Sequence, residues 1–308
     1  MATLTLDWNQ TPPAEYRGGA LTIGNFDGVH YGHAAFVAEV GRQARLVHGP
    51  ALAMTFDPHP LQILRPDLFQ PILTTTADRA ELLHACGADH VLILRTTPPL
   101  LQLSAAEFFQ FVIRDRLDAR ALVEGPNFGF GRNREGNVDT LATLCRQVQI
   151  GFTQVSPVGI AGKPVSSSRV RAALVRGAVR EAAELMGRPY RLRGTVGTGR
   201  KRGRTLGFPT ANLEQLETLA PGDGVYATRT LLGQQPWPGA ANIGPNPTFG
   251  EQARKVEVHL IGFAGELVGQ ILAIDFIDRL RDTRPFGSPA ELVEQLQRDI
   301  EQAKQALG

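Results

Sequence analysis

Short apolar runs alternate with amphipathic segments through the first half of the chain, and this alternation limits the possible folds more than any other feature. The apolar runs cover residues 20–23, 51–56, 90–94, 121–124 and 150–155. The amphipathic segments between them cover residues 33–47, 77–86, 105–117 and 138–148. Strands that alternate with helices form βαβ units, so the pattern predicts a Rossmann-like parallel sheet with helices on both faces.

The pattern changes after Tyr190. Short alternating runs separated by Gly and Pro turns then cover residues 190–196, 225–232, 237–243, 256–260 and 271–276. This spacing predicts a small antiparallel β-barrel, followed by a C-terminal amphipathic helix over residues 289–306. Gly177 is expected to break one helix, and the string M-G-R-P before Tyr190 ends the next. We therefore predict an N-terminal domain over residues 1–186 and a C-terminal domain over residues 187–308.

Composition describes an ordinary globular protein of 308 residues, long enough for two cores, with 43% hydrophobic and 20% charged residues. The net charge of +2 gives no overall attraction to nucleic acid. Cys86 and Cys145 lie in apolar helical segments and are predicted to be core residues rather than a disulfide or metal pair. Without a leader-like N-terminus or an apolar run of membrane length, the expected location is the cytoplasm, with no membrane partner.

The string G-N-F-D-G-V-H-Y-G-H follows the first apolar run and opens a predicted helix. Backbone N–H groups and the helix dipole attract phosphate at such a position. Gly24, Gly28 and Gly32 let the backbone approach a ligand closely. His30 and His33 lie one helical turn apart and can face the same anion. The string lacks the Gly-Lys-Ser/Thr ending of a Walker A loop.

Other interpretations of this string are a tight connection, with the histidines capping the helix, or a zinc site formed by His30, His33 and His59. A zinc site would leave the glycines unexplained. The H-x-G-H element resembles the signature of the nucleotidyltransferase superfamily, whose members move a nucleoside monophosphate from a triphosphate to an acceptor.

Two further loops follow predicted strands, and ligands bind beyond the carboxyl ends of parallel strands, so the three loops are expected to share one crevice. The loop D-P-H-P after the second run is either a rigid turn or a holder of the nucleotide or acceptor phosphate. The loop G-P-N-F-G-F-G after the fourth run is either a packed corner or a ligand loop. In the second interpretation Asn127 contacts the ribose or a metal-bound phosphate, and Phe128 packs beside the base.

Three serines with Arg169 and Arg171 open another predicted helix. Serine is a good N-cap, which is the simpler interpretation. Hydroxyls, a helix N-terminus and guanidinium groups together also suit a triphosphate.

The set G-x-F-D-G-x-H-x-G-H, T-F-D-P-H-P, G-x-N-F-x-F-G and S-S-x-x-x-R closely resembles the FMN adenylyltransferase module of prokaryotic bifunctional riboflavin kinase/FAD synthetases. The resemblance implies attack of the FMN phosphate on the α-phosphorus of ATP, with His30 and His33 as catalytic residues that stabilise transition-state charge. The implied ATP contacts are Gly24, Phe26, Asp27, Gly28, His30, His33, Asn127, Ser166, Ser167, Ser168 and Arg171. The implied FMN contacts are Asp57, Pro58, His59 and Phe128. Ser168 stands where the family often has Thr, and Asn127 where many members have Asp.

A second glycine-rich string, G-T-V-G-T-G-R-K-R-G-R-T-L-G-F-P-T-A-N, begins at Gly194. Its glycines permit a backbone cradle for phosphates. Thr210 and Asn212 are two apart in an extended segment, so they point to one side and offer neutral oxygens to Mg²⁺. The alternative is a flexible basic hairpin followed by a strand.

This string resembles the riboflavin kinase signature G-R-x-L-G-F-P-T-A-N, and the later strings P-G-D-G-V-Y, A-N-I-G-P-N-P-T and V-E-V-H agree with that family. The implied ATP contacts are Gly199, Gly203, Arg204, Gly207, Phe208, Pro209, Thr210 and Asn242. The resemblance makes Glu257 the base that takes the proton from the riboflavin 5′-hydroxyl. It also places Arg279, Arg281 and Phe286 over the flavin, although surface salt bridges are equally compatible with the two arginines.

The resemblance covers residues 18–302 and predicts one enzyme that makes FMN from riboflavin and then FAD, using ATP and Mg²⁺ twice. One rival interpretation keeps a single active module. Another is a flavin-sensing nucleic-acid binder, because residues 169–204 hold eleven Lys and Arg against Glu181 and Glu184. Many of these cations lie in the phosphate motifs, and no stacking aromatics are interleaved. The predicted partners are therefore the small-molecule substrates rather than nucleic acid.

Overall fold

The computed structural model describes residues 1–199, 207–233, 235–246 and 251–307. The chain divides into two compact units. The first unit contains Met1–Gln70 and Thr74–Val165, and the second contains Pro71–Leu73 and Ser166–Gly308. The boundary that the sequence predicts between residues 186 and 187 stays a prediction.

The first unit is built on a six-stranded parallel sheet, in which the strands lie in the order β1-β4-β3-β2-β5-β8. These strands are β1 Ala2–Leu6, β2 Ala20–Ile23, β3 Ala51–Asp57, β4 His90–Arg95, β5 Ala121–Glu124 and β8 Gly151–Gln154. Two short hairpins add β6 Gly129–Phe130 with β7 Gly136–Asn137, and β9 Gly159–Ile160 with β10 Lys163–Pro164. The predicted Rossmann-like sheet is confirmed.

Helices cover both faces of this sheet. They are α1 Tyr31–Leu46, α2 Pro60–Leu64, α3 Thr76–Ala85, α4 Pro98–Gln102, α5 Ala105–Phe108, a π-helix Phe109–Arg116 that continues α5, and α6 Val138–Gln147. Short 3-10 turns lie at Ala14–Tyr16 and Arg132–Arg134. Neighbouring strand residues pack into different clusters: Leu52 joins the core that contains the π-helix, whereas Ala53 packs with Val37 of α1. Both faces are therefore buried, as the continuous apolar runs predict.

The edge strand β1 was not predicted from the sequence. It pairs with β4, but only Leu6 of its five residues is buried. A strand that buries so little apolar surface leaves a weak pattern in the sequence.

The second unit contains a closed barrel with the strand order β11-β12-β15-β14-β13-β16. Its strands are β11 Tyr190–Gly197, β12 Ala211–Glu214, β13 Gly224–Leu232, β14 Gln235–Asn246, β15 Glu251–Leu260 and β16 Ile271–Arg281. The predicted antiparallel barrel is confirmed. The apolar runs do not include β12, which closes the barrel between β11 and β15, because only Leu213 of its four residues is buried. Only the motif around Asn212 predicted an extended segment there.

In its described residues the second unit also contains three helices: α7 Ser167–Val175, α8 Val179–Met186 and α9 Pro289–Leu307. Gly177 has a φ of 74° between α7 and α8, and Gly187 ends α8 in the left-handed conformation, as predicted. The α8 helix packs on β11 and β16, and α9 packs on β13, β14 and β16.

Both cysteines lie in the first unit as free thiols, with Cys145 buried and Cys86 partly exposed. Burial raises the pKa of the Cys145 thiol to about 12. No helix in the described ranges has the length and apolar character needed to cross a membrane.

Candidate active sites

Three sequence motifs of the first unit follow strands that are neighbours in the sheet. The loop that starts at Gly24 follows β2, the loop that contains Pro58 follows β3, and the loop that starts at Gly125 follows β5. The order β3-β2-β5 places all three at the carboxyl edge of the sheet. The chain leaves β2 towards β3 on one side and returns to β5 on the other, so this is the topological switch point where α/β sheets bind ligands.

The loop after β2 has an unusual backbone. Phe26, Gly28 and Val29 have φ angles of 46°, 85° and 35°. Phe26 and Val29 are almost fully buried, and a positive φ is unfavourable for a β-branched residue such as Val29. Such strain persists only where surrounding contacts hold it, and it concentrates at functional sites.

Asp27 is one of the contacts that hold this loop. Its carboxylate accepts hydrogen bonds from the backbone N–H of Thr74 at 3.1 Å and from the Thr74 hydroxyl at 3.3 Å. The Thr74 hydroxyl in turn accepts from the N–H of Gly28 at 3.0 Å. The guanidinium of buried Arg79 lies 3.9 Å from the same carboxylate. The buried Asp27 side chain thus ties the loop to the segment before α3, in addition to the predicted role at ATP.

The two histidines lie together at the start of α1. His30 is the N-cap residue, and its ring stacks on that of His33 with the centroids 3.7 Å apart and a 16° angle between planes. The Phe26 ring contacts His33 edge-on at 5.2 Å. A Cβ on Gly32 would lie 3.1 Å from atoms of the His30 ring, so glycine leaves room for the imidazole. The predicted pairing of His30 with His33 at a helix N-terminus is present.

His59 lies in a different setting. Its Nδ1 accepts a hydrogen bond from the Leu61 N–H at 3.1 Å and caps α2. Within the described part of the chain, no group of three or more His, Cys, Asp or Glu side chains is placed to hold a metal ion. The zinc site considered for His30, His33 and His59 therefore has no support in the described geometry.

The loop after β3 is anchored through its backbone. Thr96 donates its hydroxyl to the carbonyl of Pro58 and its N–H to the carbonyl of Asp57, at 2.5 and 2.8 Å. The Asp57–Pro58 peptide is cis, and the Asp57 side chain is exposed. This loop therefore presents a carboxylate beyond the sheet edge.

The loop after β5 exposes Asn127 and packs Phe128 against Phe130, with the ring centroids 5.3 Å apart. The carbonyl of Asn127 accepts from the Arg134 guanidinium at 3.2 Å. The Asn127 side chain is thus available at the sheet edge, where the sequence predicts an ATP contact.

Sequence reasoning missed one buried acid in this region. Glu124, the last residue of β5, is 2% exposed and accepts a hydrogen bond from the Ile23 N–H at 2.6 Å. Burial raises its pKa well above the usual range, while the bond from the Ile23 N–H opposes the shift. The sequence signal that could have identified this acid is a carboxyl side chain at the end of an apolar strand, directly before Gly125.

The predicted serine motif belongs to the second unit. The Ser166 hydroxyl caps α7 by accepting from the Arg169 N–H at 3.3 Å, and Arg171 donates to the Pro71 carbonyl at 3.2 Å. The capping role considered from the sequence is therefore present, and the ATP contacts of Ser166, Ser167, Ser168 and Arg171 stay predictions.

On the barrel, strand register brings three predicted residues into one row. Glu257 of β15 lies opposite Asn212 of β12 on one side and Asn242 of β14 on the other. Val256 and Val258 point into the barrel core, so alternation turns Glu257 and its two cross-strand neighbours to the outer face. Two amides and a carboxylate thus line one stripe of the barrel surface.

Gly199 approaches this row closely. Its φ is 50°, and a Cβ there would lie 2.3 Å from the Asn212 side-chain nitrogen. Any side chain at position 199 would displace the amide. Gly203 and Arg204, which are also predicted ATP contacts, lie outside the described residues.

A cavity of about 570 Å³ opens beside the same strands. Pro209 and the exposed Thr210 line it, together with apolar residues that include Val258, Leu260 and Phe263. The carbonyl of Pro209 is fixed by Nδ1 of His259 at 2.8 Å. The cavity offers an apolar wall with a hydroxyl at its edge, a combination typical of small-ligand sites.

The three predicted flavin residues have structural contacts of their own. Arg279 donates to the Asp223 carbonyl and pairs with Asp282, both at 2.7 Å. Arg281 binds buried Asp299 of α9 through two nitrogens, at 2.9 and 2.8 Å, and its guanidinium lies 5.6 Å from the Phe286 ring centroid. The salt-bridge interpretation is therefore realised for both arginines, and flavin contacts stay a prediction.

Acidic partners also take up part of the basic run. Arg176 pairs with Glu181, Arg180 with Asp278, and Arg191 with Asp275, at 2.7 to 2.8 Å. These contacts reduce the positive charge available to a polyanion.

Two family models match the chain: FAD synthetase over residues 13–169 and riboflavin kinase over residues 186–307. The bifunctional riboflavin kinase/FMN adenylyltransferase of Escherichia coli K12 is 35% identical over 96% of this chain and 95% of its own length. The Pseudomonas fluorescens enzyme of that name is 38% identical, with 94% and 93% covered. The chain belongs to the bifunctional riboflavin kinase/FMN adenylyltransferase family.

Members of this family phosphorylate riboflavin to FMN with ATP and then adenylylate FMN to FAD with release of pyrophosphate, and this chain is such an enzyme. One solved structure, described as a macrolide-efflux protein from Streptococcus pneumoniae, is 31% identical and superposes with a TM-score of 0.87 over 98% of both chains. That likeness supports the fold along almost the whole chain.

Proposed function

We propose that adenylyl transfer takes place at the carboxyl edge of the parallel sheet. The observation that carries this assignment is the convergence of three loops after neighbouring strands, with the stacked pair His30 and His33 at the start of α1. The FMN phosphate attacks the α-phosphorus of ATP, the bond to the β-phosphate oxygen breaks, and pyrophosphate leaves. Imidazoles and helix N–H groups that face the phosphates stabilise the charge that develops there.

Within this site the loop after β2 binds the triphosphate, and the loops after β3 and β5 bind the remaining parts of the two substrates. Exposed Asp57 and the ring of His59 contact FMN, while Asn127 contacts ATP and Phe128 packs beside a ring. The buried contacts of Asp27 hold the loop in its strained shape, so that binding requires little reorganisation.

We propose that riboflavin phosphorylation takes place on the outer face of the barrel around Glu257. The carboxylate takes the proton of the riboflavin 5′-hydroxyl while that oxygen attacks the γ-phosphorus and ADP leaves. The adjacent cavity of about 570 Å³ takes the nucleotide, with its apolar wall against the adenine and Thr210 towards the phosphates. The contacts predicted for this nucleotide are Gly199, Gly207, Phe208, Pro209 and Asn242, of which Pro209 lines the cavity.

The residues present fit Mg²⁺. Thr210 offers an exposed hydroxyl, and Asn212 offers an amide oxygen on the same face as the Glu257 carboxylate. Oxygen donors of this kind suit an ion that keeps most of its waters. A bound Mg²⁺ would neutralise phosphate charge; Thr210 and Asn212 would hold it.

We further propose a cytoplasmic enzyme whose partners are riboflavin, FMN and ATP rather than nucleic acid or a membrane, organised as domains 1–186 and 187–308. The ion pairs that take up Arg176, Arg180 and Arg191 support the absence of a polyanion site.

A Thr210→Val variant tests the kinase assignment, because valine keeps the branched shape and removes only the hydroxyl. A hydrogen bond to a charged group is worth about 1.5–3 kcal/mol, so kcat/KM for ATP in riboflavin phosphorylation should fall roughly 10- to 150-fold. Chromatography of the flavins over time measures both reactions in one sample. FAD formation from added FMN serves as the internal control and should be unchanged; an unaffected kinase would place the nucleotide elsewhere.

A further inference from the structure

The strands β2 and β5 separate at the switch point, and a side chain spans the gap. Their parallel ladder pairs Ala20 with Ala121 and Leu21 with Leu122, and the register ends there. Beyond it, the Ile23 N–H bonds the carboxyl of Glu124 at 2.6 Å in place of a backbone carbonyl. The strands can therefore open a crevice without leaving a buried N–H unsatisfied.

The main chain of Glu124 is bound on its other side. Its carbonyl accepts from the Val155 N–H at 2.9 Å, and the residue pairs with Gln154 of β8. Backbone bonds thus hold Glu124 to β8 while its side chain reaches back to β2. The side chain is 2% exposed, so its position is set by packing.

The bonded residue, Ile23, is followed directly by Gly24, the first residue of the phosphate loop. Gly24 donates to the Met54 carbonyl of β3 at 3.0 Å. The start of the loop is therefore held from both neighbouring strands, by Glu124 on one side and Met54 on the other. The loop then enters the positive φ angles of Phe26 and Val29, which need fixed ends to persist.

We propose that Glu124 is a positioning residue for adenylyl transfer, which fixes the start of the Gly24–His33 loop through its bond to the Ile23 N–H. This inference rests on the proposed location of the ATP site on that loop. This role requires a side chain long enough to reach the Ile23 N–H and an oxygen that can accept its hydrogen bond. A negative charge is not required, because burial raises the pKa of the carboxyl and favours its uncharged form.

Three substitutions test separately the length of the Glu124 side chain, its acceptor oxygen and its capacity to carry a negative charge. Glu124→Gln keeps the length and an acceptor oxygen but cannot ionise. Glu124→Asp keeps the acid but is one methylene too short. Glu124→Met keeps the volume and has no oxygen. Ile113→Val, at a fully buried site in the π-helix, is a matched control that lowers stability without touching the loop.

Steady-state kinetics of FAD formation from FMN and ATP, measured on the full-length enzyme, test the proposal. We expect the Asp and Met variants to lose roughly tenfold or more in kcat/KM, with a raised KM for ATP, since a buried N–H is left without its acceptor. The Gln variant should stay within about threefold of wild type, since the bond is kept. Riboflavin phosphorylation by the same samples should be unchanged, and Ile113→Val should leave the KM for ATP unaltered.

Wild-type kinetics in the Asp or Met variant would overturn the proposal, and so would an equal loss in Gln and Asp, since that result would require the charge. If either the Asp or the Met variant does not fold, the comparison of the Gln variant with the other one still decides. The double variant His30→Ala, His33→Ala, assayed alongside, separates failure of the proposed ATP site from failure of the proposed role of Glu124. Full FAD formation in that variant would reject the site itself, whatever the Glu124 series shows.

Discussion

The candidate site of the first unit is built largely from backbone, whereas the candidate site of the barrel is built from side chains placed by strand register. At the sheet edge, strained φ angles at Phe26 and Val29 and buried anchors such as Asp27 shape a phosphate loop. On the barrel, Asn212, Glu257 and Asn242 face outward because their strands pair in that register.

The difference agrees with the chemistry proposed for each site. Adenylyl transfer from ATP to a phosphate needs no group on the protein to take a proton, so positioned N–H groups and imidazoles suffice. Phosphorylation of a hydroxyl releases a proton, so a carboxylate is useful. The first site should therefore respond most to loss of its donors, and the second to loss of one base.

The largest expected effect is that of His30→Ala combined with His33→Ala. Each positioned donor is worth roughly 10²–10³-fold, so the pair should cost FAD formation about 10⁴-fold or more. Riboflavin phosphorylation should stay nearly intact, because Glu257 and the cavity belong to the other unit. Flavin chromatography with riboflavin or FMN as the starting substrate measures each step.

The comparison of the two sites would fail if the double variant lost both activities while circular dichroism showed a native fold. That result would mean that the histidines serve the kinase as well, and that the two sites are not separable.

Glu257→Gln should have the next largest effect. The amide keeps the size of the side chain and can accept a hydrogen bond, but it cannot take the hydroxyl proton. Positioned proton transfer contributes about 10²–10⁴-fold, and kinase turnover should fall by that factor. FAD formation from added FMN should not change. In the alternative considered from the sequence, Glu257 only pairs with Lys255 or Arg254 on the surface.

The structure engages Arg254 elsewhere, since its guanidinium binds the Asp223 carboxylate at 2.7 Å. A surface pairing of Glu257 would contribute about 1 kcal/mol or less to stability and nothing to turnover. Wild-type kinase turnover in the purified Gln variant would therefore exclude Glu257 as the base.

The sequence predicted the layered architecture well, because buried strands and amphipathic helices leave long apolar patterns. Residues 20–23 and 121–124 were predicted with the bounds that β2 and β5 have. The pattern failed for β1 and β12, which bury little, although β12 closes the barrel and carries Asn212. These two strands are held in the sheet and the barrel by backbone pairing with their neighbours, which leaves no apolar periodicity in the sequence.

The motifs also indicate which segments form the candidate sites, but not what each polar side chain contacts. A motif does not distinguish an acid that faces a ligand from one that holds the loop, as Asp27 does. Glu124 carries no motif, and Arg281 finds its partner Asp299 on a helix 18 residues later. Such contacts depend on three-dimensional packing, which a single sequence does not contain.

Two fragments test where the barrel unit begins. Residues 187–308 should phosphorylate riboflavin alone, but they lack α8, whose Val179, Leu185 and Met186 are buried. Burial of such side chains stabilises by about 1.5–3 kcal/mol each, so a fragment of residues 166–308 should be more stable by roughly 4.5–9 kcal/mol. Urea unfolding followed by Trp237 fluorescence measures both, since Trp237 is the only tryptophan in either fragment.

Equal stability of the two fragments would show that α7 and α8 contribute nothing to the barrel. An inactive but folded short fragment would instead show that the kinase site depends on residues before position 187.

The smallest expected effect concerns the pair of Arg281 with Asp299, and it tests whether the two units respond independently. Asp299 is 1% exposed, and its loss leaves a mostly buried guanidinium without its partner. Breaking such a pair costs about 3–5 kcal/mol, so Asp299→Ala should destabilise the barrel by that amount. Arg298→Ala, on the same helix, breaks an exposed pair with Glu294 and should cost less than about 1 kcal/mol.

Thiol labelling separates the units in this experiment, because both cysteines belong to the first unit and the second has none. Burial holds the pKa of Cys145 at about 12, so at pH 8 its thiol is protonated and reacts with iodoacetamide only after the first unit opens. Asp299→Ala should lower the urea midpoint of the barrel, seen in a Trp8→Phe background through Trp237, and leave the midpoint of Cys145 labelling unchanged. A parallel shift of both midpoints would show that the two units unfold together. The two sites would then be independent in the reactions they catalyse, but the stabilities of the two units would not be independent.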